Sequence, residues 1–129
     1  MNIAEEIARQ LDTDAGVGTF GTDIFIGTLN YDIANGISVV EIGSGNSNKS
    51  YALFEQNLEI WVRNVSASNA RAKIKEVYDY LQRKGNFTTV NAYVYYVHSS
   101  TDIQDAGRDA DDRQLYKAVF TVTFREVIS

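Results

Sequence analysis

FEQNLEIWVRNVSASNARAKIKEVYDYL, residues 54–81, decides the fold of this chain. Leu58, Ile60 and Val62 fall on one face of an alternating strand, and Glu59, Trp61 and Arg63 fall on the other. After a polar turn the period changes from 2 to about 3.6. Ala70, Ile74, Val77, Tyr78 and Leu81 then line one helical stripe, with Lys75, Glu76, Asp79 and Arg83 away from it. Neither element has a catalytic pattern. Together they supply a sheet-plus-helix core and, at Trp61 and Arg63, a second sheet face that is neither plainly core nor plainly solvent.

Upstream, Ile3, Ile7 and Leu11 recur at helical spacing behind Asn2, a good cap, which gives a short helix over residues 2–11. A helix that short is held by docking rather than by its own propensity. Residues 12–22 form a glycine-rich connector. Residues 23–29 read as a strand, residues 30–36 as a turn ending in the hairpin pair Asn35-Gly36, and residues 37–42 as the return strand. The polar stretch GSGNSNKS, residues 43–50, is expected to be a flexible loop because it has nothing to bury.

Downstream of the 55–64 strand, Ser66 or Ser68 caps the main helix, which is expected to run to Lys84 and stop at Gly85-Asn86. Residues 87–98 read as one long strand, with Val90, Ala92, Val94 and Tyr96 on one side and Thr89, Asn91, Tyr93 and Tyr95 on the other. Residues 99–114 (SSTDIQDAGRDADDRQ) read as a charged loop. The closing strand, residues 115–127, puts Tyr116, Ala118, Phe120, Val122 and Phe124 on one face. The expected architecture is α–β–β–β–α–β–β in one domain over residues 1–129. It is an α+β fold: a twisted, mainly antiparallel sheet of about five strands with both helices on one face.

Composition narrows the function. Of the 129 residues, 44% are hydrophobic and 22% charged, an ordinary globular balance. There is no cysteine, so there is no disulfide framework, thiol chemistry or thiolate metal site. The start, MNIAEEIARQ, lacks the basic and apolar regions of a secretory leader, and no apolar run is long enough for a membrane span; the lack of cysteine fits a cytosolic product. A net charge of −5 opposes general nucleic-acid binding, which needs excess Lys and Arg, although the main helix carries Arg71, Lys73, Lys75, Arg83 and Lys84.

The candidate chemical motifs are weak. Gly16-Val-Gly18-Thr-Phe-Gly21 has the letters of a dinucleotide loop, but it follows a helix and precedes a strand, the reverse of what the phosphate site needs. Asp12-Thr-Asp14-Ala-Gly16 hints at a calcium loop, yet Val17 stands where glycine is required and Asp23 where a bidentate Glu is. His98 is the only histidine; it has no opposed nucleophile for a triad and no companions for a zinc site. No catalytic, cofactor or metal residue is assigned.

Surfaces are more informative. Trp61 and Arg63, with Tyr93 and Tyr95, lie on the side of the sheet away from the helices. Either loops fold over these side chains, or they form an exposed aromatic patch that marks an interface. Residues 99–114 hold Asp102, Asp105, Asp109, Asp111 and Asp112 against Arg108 and Arg113. This segment is either a solvated loop or a contact arm whose acids meet basic groups on a partner. Asn46, Asn48 and Lys49 in the earlier loop are a second candidate contact.

Three stretches resemble a family. They are Trp61-Val62-Arg63 with the helical pattern Ala70-x-x-x-Ile74-x-x-x-Tyr78-x-x-Leu81; DIFIGTL (residues 23–29) with ISVVEIG (residues 37–43); and YKAVFTVTFR (residues 116–125). Together they are similar to the tail terminator, or minor capsid, proteins of long-tailed bacteriophages. The resemblance implies a virion protein that forms a ring, typically a hexamer, on the end of the finished tail tube. It would stop tube polymerisation and present the joining surface for the head connector. The implied partners are further copies of itself, the tail tube protein and the connector or neck proteins, with no membrane, no sequence-specific nucleic acid and no cofactor. The implied location is the neck end of the tail, reached from the host cytoplasm during assembly. The chain departs from the family in lacking proline and in its acidic last loop. A different head–tail joining or tail-completion protein is the alternative in the same setting, and a small ligand-binding or enzymatic α+β domain is the alternative from another class.

Overall fold

The structure is a computed structural model; it describes residues 2–48 and 53–127, with only the backbone of residues 44–48. Helix α1 (Ile3–Thr13) begins at Asn2, whose side chain accepts the Glu5 N–H, and Glu5 and Glu6 sit in its positive first turn. Strand β1 (Ile24–Ile26) is followed by the long pair β2 (Gly36–Asn48) and β3 (Leu53–Asn64). Helix α2 (Ala67–Leu81) is capped by Ser66, which settles the choice between the two serines. Then come β4 (Gly85–Thr88), β5 (Ala92–Ser99), β6 (Gln104–Arg108) and β7 (Gln114–Glu126).

The fold is α+β, as expected, but the sheet has seven strands rather than about five, in the order β1-β2-β3-β7-β5-β4, with β6 also paired to β7. All pairings are antiparallel except β1 with β2. The register of β3 on β7 fixes the core: Leu58 opposes Phe120, Ile60 opposes Ala118 and Val62 opposes Tyr116. These residues, with Ile37, Val39, Ala92, Val94 and Val97, form one buried cluster with Ile7 and Leu11 of α1 and Ala70, Ile74, Val77 and Leu81 of α2. Both helices therefore lie on one face. Docking on that cluster stabilises the short α1.

Five local expectations are corrected. Residues 24–26 and 37–39 pair in parallel, so Asn35-Gly36 closes a longer excursion instead of a hairpin. Residues 43–48 continue β2 against β3, with register shifts, instead of forming a loop. Helix α2 ends at Leu81: Gln82 is extended, and Arg83 and Asn86 take positive φ. Gly85 is needed for close approach, since an added Cβ would meet the Tyr95 carbonyl oxygen at 2.7 Å.

The expected strand over residues 87–98 is broken at residues 89–91, and a bulge between Val94 and Tyr96 then moves Tyr96 out of the core series and Val97 into it. Finally, residues 104–108 form β6 on β7 inside the expected 99–114 loop. The sequence QDAGR has no apolar alternation because its pairing is through the backbone and its side chains stay mostly exposed.

Candidate functional site

On the face away from the helices, β2, β3 and β7 carry Ser38, Val40, Glu59, Trp61, Arg63, Leu115 and Lys117. Thr28 and Leu29 overhang one side, leaving a cavity of about 300 Å³ lined by Thr28, Leu29, Ser38, Val40, Glu59, Trp61, Arg63 and Leu115. Trp61 is half-buried. Its indole N–H donates to Glu59, and the Lys117 ammonium stands 5.1 Å from its ring centre. The cavity is thus mainly apolar, and its Trp and Glu are already mutually satisfied.

Arg63 plays a different part from the one expected for an exposed interface residue. Its side chain is only 11% exposed. One terminal nitrogen donates to the carbonyls of Asn30 and Ile33, both at 3.1 Å, and Nε stands 3.3 Å from the Asp109 carboxylate. Arg113, 7% exposed, donates from Nε to the same carboxylate at 2.7 Å and from Nη1 to the Tyr31 carbonyl at 2.8 Å, with its guanidinium over the Tyr31 ring. Two arginines from distant parts of the chain thus fasten residues 30–33 to the sheet, and Asp109 balances both. Burial pushes the Asp109 carboxyl up, but the Arg113 backbone N–H and guanidinium, with the Asp111 N–H, outweigh it and hold the group below the usual carboxylate value. A hydrogen bond to Asp111 raises the Tyr31 hydroxyl in turn.

Tyr93 and Tyr95 do not adjoin Trp61. Trp61 lies opposite Lys117 and Tyr93 opposite Arg125, so about 26 Å of β7 separates them at the usual rise per residue. Tyr93 and Tyr95 meet edge to face at 4.9 Å. The Arg125 guanidinium lies over Tyr93, and its Nε donates to the Tyr95 hydroxyl at 3.0 Å. The bulge brings Tyr96 to the same surface, stacked on His98. Thr121, hydrogen-bonded to Asn57 and Ser100, lies between the two aromatic ends. The expected single patch is therefore two clusters on one face.

The acidic segment is folded rather than a free arm. Asp109 and Arg113 are consumed in the clamp described above. Asp105 accepts from Gln114 and from the Gly107 N–H, and Arg108 pairs with Asp112. Asp102, which accepts from the Tyr78 hydroxyl, is exposed, as are Asp105, Asp111 and Asp112. Of the earlier loop candidates, Asn46 and Asn48 lie on the β2 backbone with side chains outside the described residues, and Lys49 lies outside them altogether. The clamp and the break at residues 89–91 were missed from sequence; both depend on contacts between residues far apart in the chain.

Among the described residues, no three His, Cys, Asp or Glu side chains converge in a way that would hold a metal ion, and no helix is long and apolar enough to cross a membrane.

Comparison with known proteins gives a consistent picture. No curated protein sequence matches the chain. A chain of the solved structure titled "Virion of native gene transfer agent (GTA) particle" shares the fold, with TM-score 0.67 and 16% identity, over 97% of this chain and 95% of that one. The family described as "Bacteriophage tail terminator protein" matches residues 13–126, a span that holds all seven strands and both sides of the clamp. That match makes the chain a structural component of a phage virion. It belongs to the bacteriophage tail terminator protein family.

Proposed function

We propose that this chain acts as one domain that closes into a hexameric ring on the end of the phage tail tube. The ring ends tube polymerisation and forms the joining surface for the head connector. It works by fit, without making or breaking bonds, at the neck end of the tail after assembly in the host cytoplasm. The observation that carries the reading is the family match joined to an uncovered sheet face with a ready-made apolar cavity. Apolar surface left open on a folded domain is characteristic of an assembly contact.

Ring geometry limits how that face is used. In a ring of six, neighbouring subunits differ by about 60°, so the two complementary patches on one subunit face directions at least about 120° apart. Trp61 on β3 and Tyr93 on β5 are two strands apart and lie toward opposite ends of β7, so they are treated as separate contacts. We assign the Trp61 cavity to the contact between copies and the Tyr93–Tyr95–Arg125 cluster to the tube or connector. Asp102, Asp105 and Asp111 supply acidic contacts to basic groups on those partners.

The test is polymerisation of the purified tube protein with and without this chain. Substoichiometric addition is expected to stop elongation. Tubes that lengthen at the same rate in its presence would remove the reading.

A further inference from the structure

The turn between β4 and β5 presents Val90, 82% exposed, the most exposed of the large apolar side chains among the described residues. The turn is held from below by Glu6 of α1, which is only 3% exposed. The Glu6 carboxylate accepts the Thr89 hydroxyl at 2.8 Å and the Asn91 N–H at 2.6 Å. Thr89 closes the turn further, donating its N–H to the Ala92 carbonyl and accepting the Ala92 N–H on its hydroxyl. A buried carboxylate is costly unless its hydrogen bonds are made. Here both of those bonds go to the turn, so the arrangement holds an apolar side chain rigidly in water.

The turn lies on the helix-bearing side: Thr89 and Val90 share a cavity wall with Glu6, Arg9 and Gln10 of α1. It also sits beside the end of β7, where Val127 donates to the Asn91 carbonyl, while the Trp61 cavity lies toward the start of β7 on the opposite face. The knob and the cavity thus stand at diagonal ends and on opposite sides, the relation a head-to-tail contact requires. Their electrostatics agree. The chain neighbours of Val90 are the neutral Thr89 and Asn91, and the charged residues that share its cavity wall already have partners: Glu6 holds the turn, Arg9 pairs with Glu5, and Asp12 accepts the Phe20 N–H. In the cavity, Arg63 is balanced by Asp109, and Glu59 accepts from Trp61. Joining them strips no charge of its partner.

We infer that Val90 of one copy seats in the Trp61–Leu115 cavity of the next copy, with Glu6 as the residue that positions it. This rests on the ring reading above and specifies its contact. The 300 Å³ cavity has room for the tip of the turn as well as the valine side chain.

The chain has no cysteine, so paired cysteines can report the contact cleanly. The variant carrying both Val90→Cys and Leu115→Cys, bound to isolated tails and mildly oxidised, is expected to give a ladder of covalent oligomers. Each single variant is expected to remain monomeric on a denaturing gel. Val90→Asp is expected to weaken self-association by about tenfold or more, as loss of an anchor does. Glu6→Ala should do the same with Val90 intact, and Glu6→Gln, which keeps an acceptor oxygen, should restore association. Rings on tail ends without the 90–115 cross-link, or dimers from Val90→Cys alone, would overturn this contact and leave the ring reading standing. No oligomer of the unmodified chain, in solution or on tails, would overturn both.

Discussion

Asp109 accepts from Arg113 at 2.7 Å, and the same carboxylate oxygen faces Arg63 at 3.3 Å. One acid thus balances two nearly buried cations that reach from β3 and from the β6–β7 turn to the carbonyls of residues 30, 31 and 33. Removing it leaves two guanidinium groups facing each other in a poorly solvated place. Asp109→Asn is expected to lower the melting temperature and to speed amide exchange across residues 27–35, with the amides of β3 and β7 protected as before. Unchanged exchange in residues 27–35 would show that the clamp does not hold that segment.

Acid stability follows from two carboxylates. Asp14 is lowered first by its hydrogen bond from Tyr80, with burial opposing and Lys84 adding to the effect. Asp109 is lowered as well, burial opposing and its Arg113 and Asp111 hydrogen bonds prevailing. A group whose folded value is depressed stabilises the fold above its unfolded value, here 3.8, and loses that contribution as pH falls through the folded value. On the acid side, stability is expected to hold down to about pH 5 and to decline below pH 4, with a shallower decline in the Asp14→Asn, Asp109→Asn double variant. Tyr80 works at the other end. Burial first, then the hydrogen bond and charge of Asp14, raise it well above its ordinary value of 10.0. Its contribution is complete below pH 10 and is lost as pH rises further, a loss that Tyr80→Phe should abolish.

Gly85 tests backbone packing beneath the aromatic cluster. Its missing Cβ leaves room for the Tyr95 carbonyl at 2.7 Å. Gly85→Ala is expected to cost about 1–3 kcal/mol in urea unfolding, the usual penalty for overpacking. A neutral result would mean that β4 shifts freely against β5.

Core and surface aromatics separate stability from assembly. Phe120 is fully buried in the common cluster of both helices, and Phe120→Ala is expected to cost about 3–5 kcal/mol. Trp61 lies on the uncovered face, so Trp61→Ala should stay folded by circular dichroism and lose self-association by light scattering. Unfolding of the Trp61 variant would place that side chain among the core residues instead.

The elements that bury an apolar stripe were legible in the sequence. Strand β3, helix α2 and strand β7 announce themselves because Leu58, Ile60, Val62, Ile74, Val77, Phe120 and Val122 all face one cluster. Strand β6 was illegible because it is held by backbone bonds to β7. The break at residues 89–91 contains no glycine or proline and depends on Glu6, so local pattern favoured an unbroken strand through Val90. Trp61 was correctly placed away from the helices. Its separation from Tyr93 depends on how β3 and β5 register on β7, which alternation within each strand does not encode. Arg63 looked like a surface residue until Asp109 and residues 30–33 closed around it.

Negative-stain imaging of isolated tails mixed with this chain tests the central claim most directly. Ring-shaped density is expected at one end of the tube, present with the unmodified chain and lost with Trp61→Ala. Bare tube ends, or decoration scattered along the tube wall, would contradict it.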